Sequence, residues 1–195
     1  MKIGIISDIH ENFHNLSLFL NETKKHNIEK ILFLGDFMNN GIAKLLAAHE
    51  IPTYAVWGNN DGDRVAITKT ALSKWSNLEI WFDTFDIINI ENRNIFLTHY
   101  PILAKPMAKS WDFDAVFYWH NHFHNIDKIN NCIIINPWEI SAHKTGIATF
   151  ALYDTETNNA EIITLEWSIT LKTDDGDKHR EKSWVNFSKS KTHQY

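Results

Sequence analysis

The sequence predicts a single α/β domain in which two packed β-sheets are covered by outer helices. Apolar segments of strand length alternate with helical segments over about the first 60 residues, which is typical of βαβ units and a largely parallel sheet. From about residue 78 the apolar segments are short and separated by turn residues, which indicates a strand-rich second half. The length of 195 residues suits one domain with a sizeable core.

The first half contains three predicted strands and two predicted helices. Each strand is a short run rich in β-branched and other apolar residues, and each helix places apolar residues three or four positions apart, as in Leu16, Phe19 and Leu20. The predicted strands cover residues 2–7, 30–34 and 53–57, and the predicted helices cover residues 15–26 and 41–50.

The second half is predicted to form strands that include two hairpins. Polar residues such as Asn130 and Asn131 separate neighbouring apolar runs, as hairpin turns require. We expect a domain over residues 1–166 and a polar C-terminal extension over residues 167–195. The predicted strands cover residues 85–90, 94–98, 115–119, 126–129, 132–135, 145–153 and 160–167.

Composition disfavours several function classes. The formal net charge of −5 leaves no global basic surface, so polymeric nucleic acid is a poor candidate partner. No apolar run approaches the roughly 20 residues of a membrane helix, and the N-terminal run is too short for a signal peptide. Cys132 is the single cysteine, which excludes an intrachain disulfide and suits a reducing compartment. We therefore expect a cytoplasmic protein without a membrane partner, and a homo-oligomer is compatible with the sequence.

Five predicted strands end in carboxylate, carboxamide or imidazole side chains. Taken singly, such residues are more often helix caps or turn residues. In open α/β sheets, however, ligands gather beyond the carboxyl ends of the strands, so five such ends predict one shared site. The residues are Asp8 and His10, Asp36, Asn59 and Asp61, His99, and His120 and His122.

Seven of these side chains form a plausible ligand set for two cations. Oxygen and imidazole donors without thiolate suit manganese, iron, cobalt, nickel or zinc, and we prefer manganese. Seven ligands exceed the needs of one ion, so a shared carboxylate is expected, and Asp36 stands alone on its loop. Two ions about 3.5–4 Å apart can hold a bridging hydroxide that attacks a phosphate ester. The predicted ligands are Asp8, His10, Asp36, Asn59, His99, His120 and His122.

The order of these motifs resembles the calcineurin-like metallophosphoesterase superfamily, in particular its small YfcE-type phosphodiesterase subgroup. The resemblance spans about residues 1–166 and implies a two-sheet αββα sandwich. It also implies that Asp36 bridges two metals. The family motifs correspond to Asp8-Ile9-His10, Gly35-Asp36, Gly58-Asn59-Asn60-Asp61, Thr98-His99-Tyr100, Trp119-His120-Asn121-His122 and Asn136-Pro137-Trp138-Glu139. The implied ligands are Asp8, His10 and His122 for the first metal, and Asn59, His99 and His120 for the second.

Three positions that are glycine in the family pattern are aromatic in this chain: Tyr100, Trp119 and Trp138. They could form a rim that stacks a base or aryl group of the substrate, or they could reflect repacking of the site walls. Asn60 replaces a histidine that protonates the leaving group in many larger family members, and an amide cannot do this.

Candidate replacements for that histidine are His14 and His124, although a surface role is the simpler interpretation of both. Asp61 is expected to orient a ligand rather than to act as an acid.

The preferred prediction is a dinuclear phosphodiesterase acting on a small phosphodiester, with a nucleotide as one candidate. Its predicted catalytic group is Asp36, Asn59, His99, Asp61 and Asn60. A phosphomonoesterase needs the same metals and is the close alternative. A scaffold resembling the retromer subunit of this family and a nuclease are less favoured, the first because the ligand set is intact and the second because of the acidic charge.

Overall fold

The computed structural model describes residues 1–119 and 125–171. The helices in these ranges are α1 (Phe13–Lys25), α2 (Asn40–Ala48), α3 (Arg64–Ala71) and α4 (Pro101–Lys109). The strands of the first half are β1 (Lys2–Ile6), β2 (Lys30–Phe33), β3 (Thr53–Ala55), β4 (Leu78–Ile80), β5 (Phe85–Ile90) and β6 (Arg93–Thr98). Those that follow are β7 (Ala115–Phe117), β8 (Asn125–Ile129), β9 (Cys132–Asn136), β10 (Thr149–Asp154) and β11 (Asn159–Thr164).

The strands form two mixed sheets. The first sheet has the order β11-β10-β1-β2-β3-β4, in which β1 to β4 are parallel and β10 is antiparallel to both of its neighbours. The second sheet has the order β5-β6-β7-β9-β8, with a parallel centre and an antiparallel strand at each edge. The parallel strands therefore share one direction in each sheet, and their carboxyl ends can present side chains together.

Three apolar clusters define the layers. The first lies between α1 to α3 and the outer face of the first sheet, where Phe19 contacts Phe150. The second lies between the sheets and includes Ile5 and Phe117. The third lies between α4 and the outer face of the second sheet, around Phe96. This order of layers confirms the predicted αββα sandwich.

The sequence did not predict α3, β4 or α4. The prolines at the start and inside of α4 obscured it, because proline usually interrupts a helix. Pro101 is tolerated at the first helical position, where the N–H would have no partner in the helix, and Pro106 lies inside the helix. The predicted strand over 145–153 begins only at Thr149, because a turn closes before it with a 3.1 Å hydrogen bond from Gly146 N to Ala142 O.

Residues 167–171 pack against the start of α1. The Asn15 side chain hydrogen-bonds both polar groups of the Ile169 backbone, at 2.9 Å each, and Asn12 donates to the Ile169 carbonyl at 2.8 Å. The first residues of the predicted extension are thus attached to the domain, and residues 172–195 lie outside the described ranges. None of the four described helices is long and apolar enough to cross a membrane.

Candidate metal centre

Four strand ends deliver five predicted ligands to one end of the sandwich. Asp8 and His10 follow β1, Asp36 follows β2, Asn59 follows β3 and His99 follows β6. The ligand atoms of the two aspartates and His99 lie within 4.8 Å of one another, and all three residues are buried. The structure therefore brings these predicted ligands together. The other two, His120 and His122, lie outside the described residues.

The carboxylate of Asp36 lies between two imidazoles. Its Oδ2 is 3.9 Å from Nε2 of His10, and its Oδ1 is 3.9 Å from Nε2 of His99. On the side of His10, Nε2 is also 3.1 Å from Oδ1 of Asp8. Each oxygen of Asp36 thus faces a different imidazole, which is the arrangement that a carboxylate shared by two cations requires.

The contacts of His99 fit a cation better than an ordinary hydrogen bond. Its Nδ1 is 2.8 Å from the Leu34 carbonyl, which can only accept, so the neutral ring places its proton there. Its Nε2 then carries a lone pair, yet it is 2.8 Å from Oδ1 of Asn59, another acceptor. Imidazole nitrogen and amide oxygen are both donors to divalent metals. Two lone pairs that face each other in this way would hold a cation between them.

Asp61 holds the loops after β2 and β3 together. Its carboxylate accepts backbone N–H groups from Asp36 at 3.3 Å, Phe37 at 2.5 Å, Met38 at 3.3 Å and Gly58 at 2.6 Å. All four donors belong to segments that carry or adjoin ligands. The carboxylate of Asp61 therefore connects the loop that carries Asp36 with the loop that carries Asn59.

Asn60 fixes the orientation of the Asp36 carboxylate. Its backbone N–H donates to Oδ1 and its side-chain amide donates to Oδ2, each at 2.8 Å. Each oxygen of Asp36 keeps a second lone pair that these two hydrogen bonds do not use. Asn60 thus hydrogen-bonds both oxygens of the Asp36 carboxylate, and its amide cannot serve as an acid.

Two glycines allow these loops to touch. Gly35 has a φ of +98°, and a β-carbon there would collide with the backbone of Gly58. A β-carbon on Gly58 would in turn collide with the carboxylate of Asp36. The lack of a β-carbon at both positions explains why glycine precedes Asp36 and Asn59.

Several residues of the ligand loops adopt left-handed backbone conformations. The φ values are +46° for Asp8, +50° for His10, +69° for Asp36 and +63° for Met38. This region costs a non-glycine residue roughly 1–2 kcal/mol. The surrounding hydrogen bonds must hold these residues in place, and such strain is typical of functional sites.

Burial and neighbouring charges shift the pKa values of Asp8 and Asp36 in opposite directions. Burial raises the pKa of Asp8 to about 8, and the charge of Asp36 acts in the same direction. Burial also opposes ionisation of Asp36, but His99 and the hydrogen bonds from Asn60 outweigh it and lower its pKa. Asp36 is therefore the ionised member of the pair at neutral pH in the metal-free protein.

We expect stabilisation by Mn²⁺ to grow between about pH 6 and 8. The raised pKa of Asp8 means that the folded metal-free protein keeps a proton that the unfolded chain has lost above its ordinary pKa of 3.8. Its stability therefore falls as the pH rises through this window, and a cation that displaces the proton offsets the loss. Melting temperatures with and without Mn²⁺ at several pH values test this. A rise in melting temperature on adding Mn²⁺ that shrinks toward pH 8 would contradict this expectation. In Asp8→Asn, that rise should depend less on pH.

A second loop, which the sequence reasoning did not single out, lies against His10. The ring of His143 stacks on the ring of His10, with centroids 5.2 Å apart. Buried Glu139 shapes this loop by accepting hydrogen bonds from Ser141 Oγ at 3.0 Å and from Lys144 N at 2.8 Å. The motif that starts at Asn136 could have pointed to Glu139, whereas no local pattern marks His143.

The three aromatic replacements lie in different environments. Trp119 is fully buried in the cluster between the sheets, so the structure corrects its assignment to a substrate rim. Tyr100 is half-buried, and its ring meets His99 edge-on at 5.2 Å. Trp138 is also half-buried and has a φ of +69°, the conformation that a glycine would adopt freely. Tyr100 and Trp138 are therefore the two of the three that are candidate walls of the site.

Of the two histidines suggested as acids, His14 lies within the described residues. Nε2 of His14 is 3.0 Å from the carbonyl of Trp167, so this ring contacts the segment that follows β11. His124 lies outside the described residues.

Carboxylates and imidazoles that meet at the strand ends of an αββα sandwich define a class of metal-dependent hydrolases. Residues 1–158 match the model of the calcineurin-like phosphoesterase superfamily domain, and the chain belongs to this superfamily. It is 31% identical over 168 residues to phosphodiesterase MJ0936 of Methanocaldococcus jannaschii, covering 85% of this chain and 100% of that protein. The family predicted from the motifs is confirmed.

Solved structures support the same fold. An archaeal phosphodiesterase superposes with a TM-score of 0.77 at 30% identity, covering 85% of this chain and 100% of its own. The Escherichia coli phosphoesterase YfcE gives 0.61 at 20% identity, with 85% and 100% covered. Vps29 of Entamoeba histolytica in complex with Zn²⁺ gives 0.58 at 15%, with 85% and 100% covered. The last two are distant enough in sequence that they show the fold alone.

Proposed function

We propose that the protein is a metal-dependent phosphodiesterase that hydrolyses a small phosphodiester. The observation that carries this proposal is the carboxylate of Asp36, which is ionised and lies between His10 and His99 at equal distances of 3.9 Å. The relative named phosphodiesterase, at 31% identity over most of the chain, supports a diester as the substrate.

The proposed centre holds two divalent cations, with Mn²⁺ preferred over Ni²⁺, Co²⁺, Fe²⁺ or Zn²⁺. Oxygen and imidazole donors suit this series. The first ion would be held by Asp8, His10 and His122, and the second by Asn59, His99 and His120, with Asp36 shared. Only five of these seven residues lie within the described ranges, and their spacing supports the assignment.

Bound cations supply Lewis acidity, which activates water at neutral pH and neutralises the phosphate. The protein's own residues provide the geometry. Asn60 fixes both oxygens of Asp36, Asp61 fixes the loops on which the ligands lie, and the Leu34 carbonyl fixes the ring of His99. Preorganised ligands of this kind avoid reorganisation during the reaction.

Hydrolysis of bis(p-nitrophenyl) phosphate by metal-stripped protein tests the proposal. We expect no turnover without metal, restoration by Mn²⁺, and a higher kcat/KM for this diester than for p-nitrophenyl phosphate. A monoester preference would instead identify a phosphomonoesterase. Stoichiometric metal uptake without turnover would favour a scaffold, and a strongly salt-dependent KM on polymeric nucleic acid would favour a nuclease.

We expect the rate to fall steeply as the leaving group becomes more basic. Asn60 cannot give up a proton, and its N–H groups are engaged with Asp36 at 2.8 Å. General acids contribute roughly 10²–10⁴-fold, so a methyl nitrophenyl diester cleaved at its methyl ester should react at least roughly 100-fold more slowly than at its aryl ester. Product analysis of that substrate measures both rates. Comparable release of methanol and nitrophenol would reveal a proton donor.

Substrate contacts are proposed at Tyr100 and Trp138. The Tyr100 ring meets the ring of His99, and Trp138 lies two residues before Ile140, whose N–H donates to the carbonyl of Ser7 beside Asp8. Both are half-buried aromatic residues, which supports stacking of an aryl or base group. His14 and His124 remain candidate contacts. The buried, unpaired thiol of Cys132 supports a reducing compartment such as the cytoplasm.

A further inference from the structure

A buried asparagine joins residues 167–171 to the loop that follows β9. The side-chain amide of Asn15 donates to the Ile140 carbonyl at 2.8 Å and to the Ile169 carbonyl at 2.9 Å. Its Oδ1 accepts the N–H of Ile169 at 2.9 Å. Every polar atom of this fully buried side chain is therefore used to hold the two segments together.

A second buried asparagine makes the same connection one turn earlier. The side-chain amide of Asn12 donates to the Ser141 carbonyl at 2.9 Å and to the Ile169 carbonyl at 2.8 Å. Its Oδ1 accepts from Asn15 N at 3.0 Å and so caps α1. Buried amides need all of these partners. If Ile169 moved away, each asparagine would lose the acceptor of one of its N–H groups.

The loop held in this way supports the backbone of a proposed metal ligand. Ile140 N donates to the Ser7 carbonyl at 3.1 Å, and Ser141 N donates to the Asp8 carbonyl at 2.9 Å. Asp8 and His10 have φ values of +46° and +50°. Left-handed backbone of this kind persists only where its surroundings hold it, so these two hydrogen bonds help to fix the first ligand segment.

The same loop also reaches a ligand side chain. The ring of His143 stacks on the ring of His10, with centroids 5.2 Å apart. Buried Glu139 accepts hydrogen bonds from Lys144 N at 2.8 Å and from Thr145 N at 2.9 Å, which closes the loop around His143. The loop therefore supports both Asp8 and His10, the two described ligands of the first proposed ion.

The ligands of the second proposed ion are supported from other parts of the fold. His99 N donates to Thr84 O at 2.9 Å, and the ring of His99 is 2.8 Å from the Leu34 carbonyl. The loop that carries Asn59 is held by Asp61, as described above. The two ions thus depend on different supports.

We propose that residues 167–171 are a positioning element for the first metal ion, an inference that rests on the proposed function. The connection runs from Ile169 through the two asparagines to residues 140–141, and from there to Asp8. The segment lies beyond residues 1–158, over which the chain matches the family domain. The affinity of the first ion should therefore depend on this segment, and that of the second ion should not.

Ile169→Pro in the full chain tests the proposal, because proline has no N–H to donate to Asn15. Residues that orient ligands usually contribute roughly 10–100-fold to metal affinity. We expect one of the two Mn²⁺ ions to bind about tenfold more weakly and the other to change by less than about twofold. Titration with Mn²⁺, followed by electron paramagnetic resonance of the free ion, measures both constants.

The matched control is Trp167→Ala in the same segment. The side chain of Trp167 is 84% exposed, and the substitution keeps the backbone. Both Mn²⁺ affinities should equal those of the wild-type chain. Circular dichroism checks that the control and Ile169→Pro fold.

Single-site backgrounds identify which ion is affected. His10→Ala keeps the complete ligand set only at the second ion, and Asn59→Ala keeps it only at the first. Ile169→Pro should weaken the remaining site by about tenfold in Asn59→Ala and leave it unchanged in His10→Ala. A general loss of stability would weaken both sites alike.

Hydrogen exchange of the metal-stripped protein gives a measurement that does not depend on bound ions. Ile169→Pro should speed exchange of the Ser141 N–H, which is bonded to the Asp8 carbonyl, because local opening becomes easier there. Exchange of the His99 N–H, bonded to Thr84 O, should stay unchanged.

Three results would overturn the proposal. They are equal Mn²⁺ affinities in Ile169→Pro and the wild-type chain, equal weakening at both ions, and unchanged exchange at Ser141. A wild-type chain that binds fewer than two ions would refute this inference together with the proposed dinuclear centre. Binding of both ions without hydrolysis of bis(p-nitrophenyl) phosphate would refute the proposed function alone, and the Mn²⁺ affinities would still decide this inference.

Discussion

Replacing Asp36 with asparagine is expected to lower kcat/KM for bis(p-nitrophenyl) phosphate by about 10³-fold or more. Charge stabilisation by a metal pair is worth several kcal/mol, and each 1.4 kcal/mol or so is a factor of ten in rate. The substitution removes the charge that faces both His10 and His99. It also places the NH₂ group of the new asparagine side chain opposite an N–H donor of Asn60. Steady-state kinetics at saturating Mn²⁺ measures the effect.

The matched control is Asp63→Asn. Asp63 lies in the same stretch of chain as Asn60, and its exposed carboxylate caps α3 by accepting from Ala66 N at 3.2 Å. We expect near-normal kinetics from this variant. Metal analysis should show fewer ions per chain for Asp36→Asn than for Asp63→Asn. Near-normal turnover by Asp36→Asn would refute a catalytic role for the shared carboxylate.

Replacing Asp61 with alanine is expected to lower the free energy of unfolding by about 3 kcal/mol or more. The substitution leaves four backbone N–H groups without their acceptor, and each buried unsatisfied donor costs roughly 1–3 kcal/mol. Urea unfolding of the metal-stripped protein measures this without interference from bound ions.

Asp63→Ala again supplies the comparison, because it removes one capping bond and should cost only about 1 kcal/mol. If Asp61→Ala were no less stable than Asp63→Ala, the hydrogen bonds to Asp61 would not be what holds the two loops. Asp61→Ala should also weaken metal uptake, since the loops carry Asp36 and Asn59.

The sequence predicted the ligand-bearing strands well because they are buried on both faces. Continuous apolar runs such as those of β1 and β2 have few alternative interpretations, and the polar residue that ends each run marks the sheet edge. The sequence predicted two packed sheets but, apart from two hairpins, not which strands pair, and it gave no sign that β10 lies beside β1 in the first sheet. The strand ends correctly indicated that Asp8, Asp36 and His99 meet, and their ligand atoms lie within 4.8 Å of one another.

Elements without a strong pattern could not be predicted. α3 exposes half of its residues and carries two threonines, so its apolar periodicity is weak. α4 contains prolines that usually end helices, and packing under the second sheet outweighs that preference.

The role of side chains depended on contacts that the sequence does not encode locally. Trp119 resembled a rim residue because it adjoins the ligand motif, yet its ring points into the core between the sheets. His143 was overlooked because it reaches His10 from a loop more than a hundred residues later in the chain. Side-chain direction at loop positions is a tertiary property, so neighbouring residues could not reveal it.

The carboxylate of Asp61 has a consequence for attempts to redesign the centre. Because it joins the loop of Asp36 to Gly58, beside Asn59, a shift in either loop must move the other. Cation preference could not be retuned by editing one loop at a time. A successful redesign would have to change both loops together, or first replace this shared anchor with two independent ones.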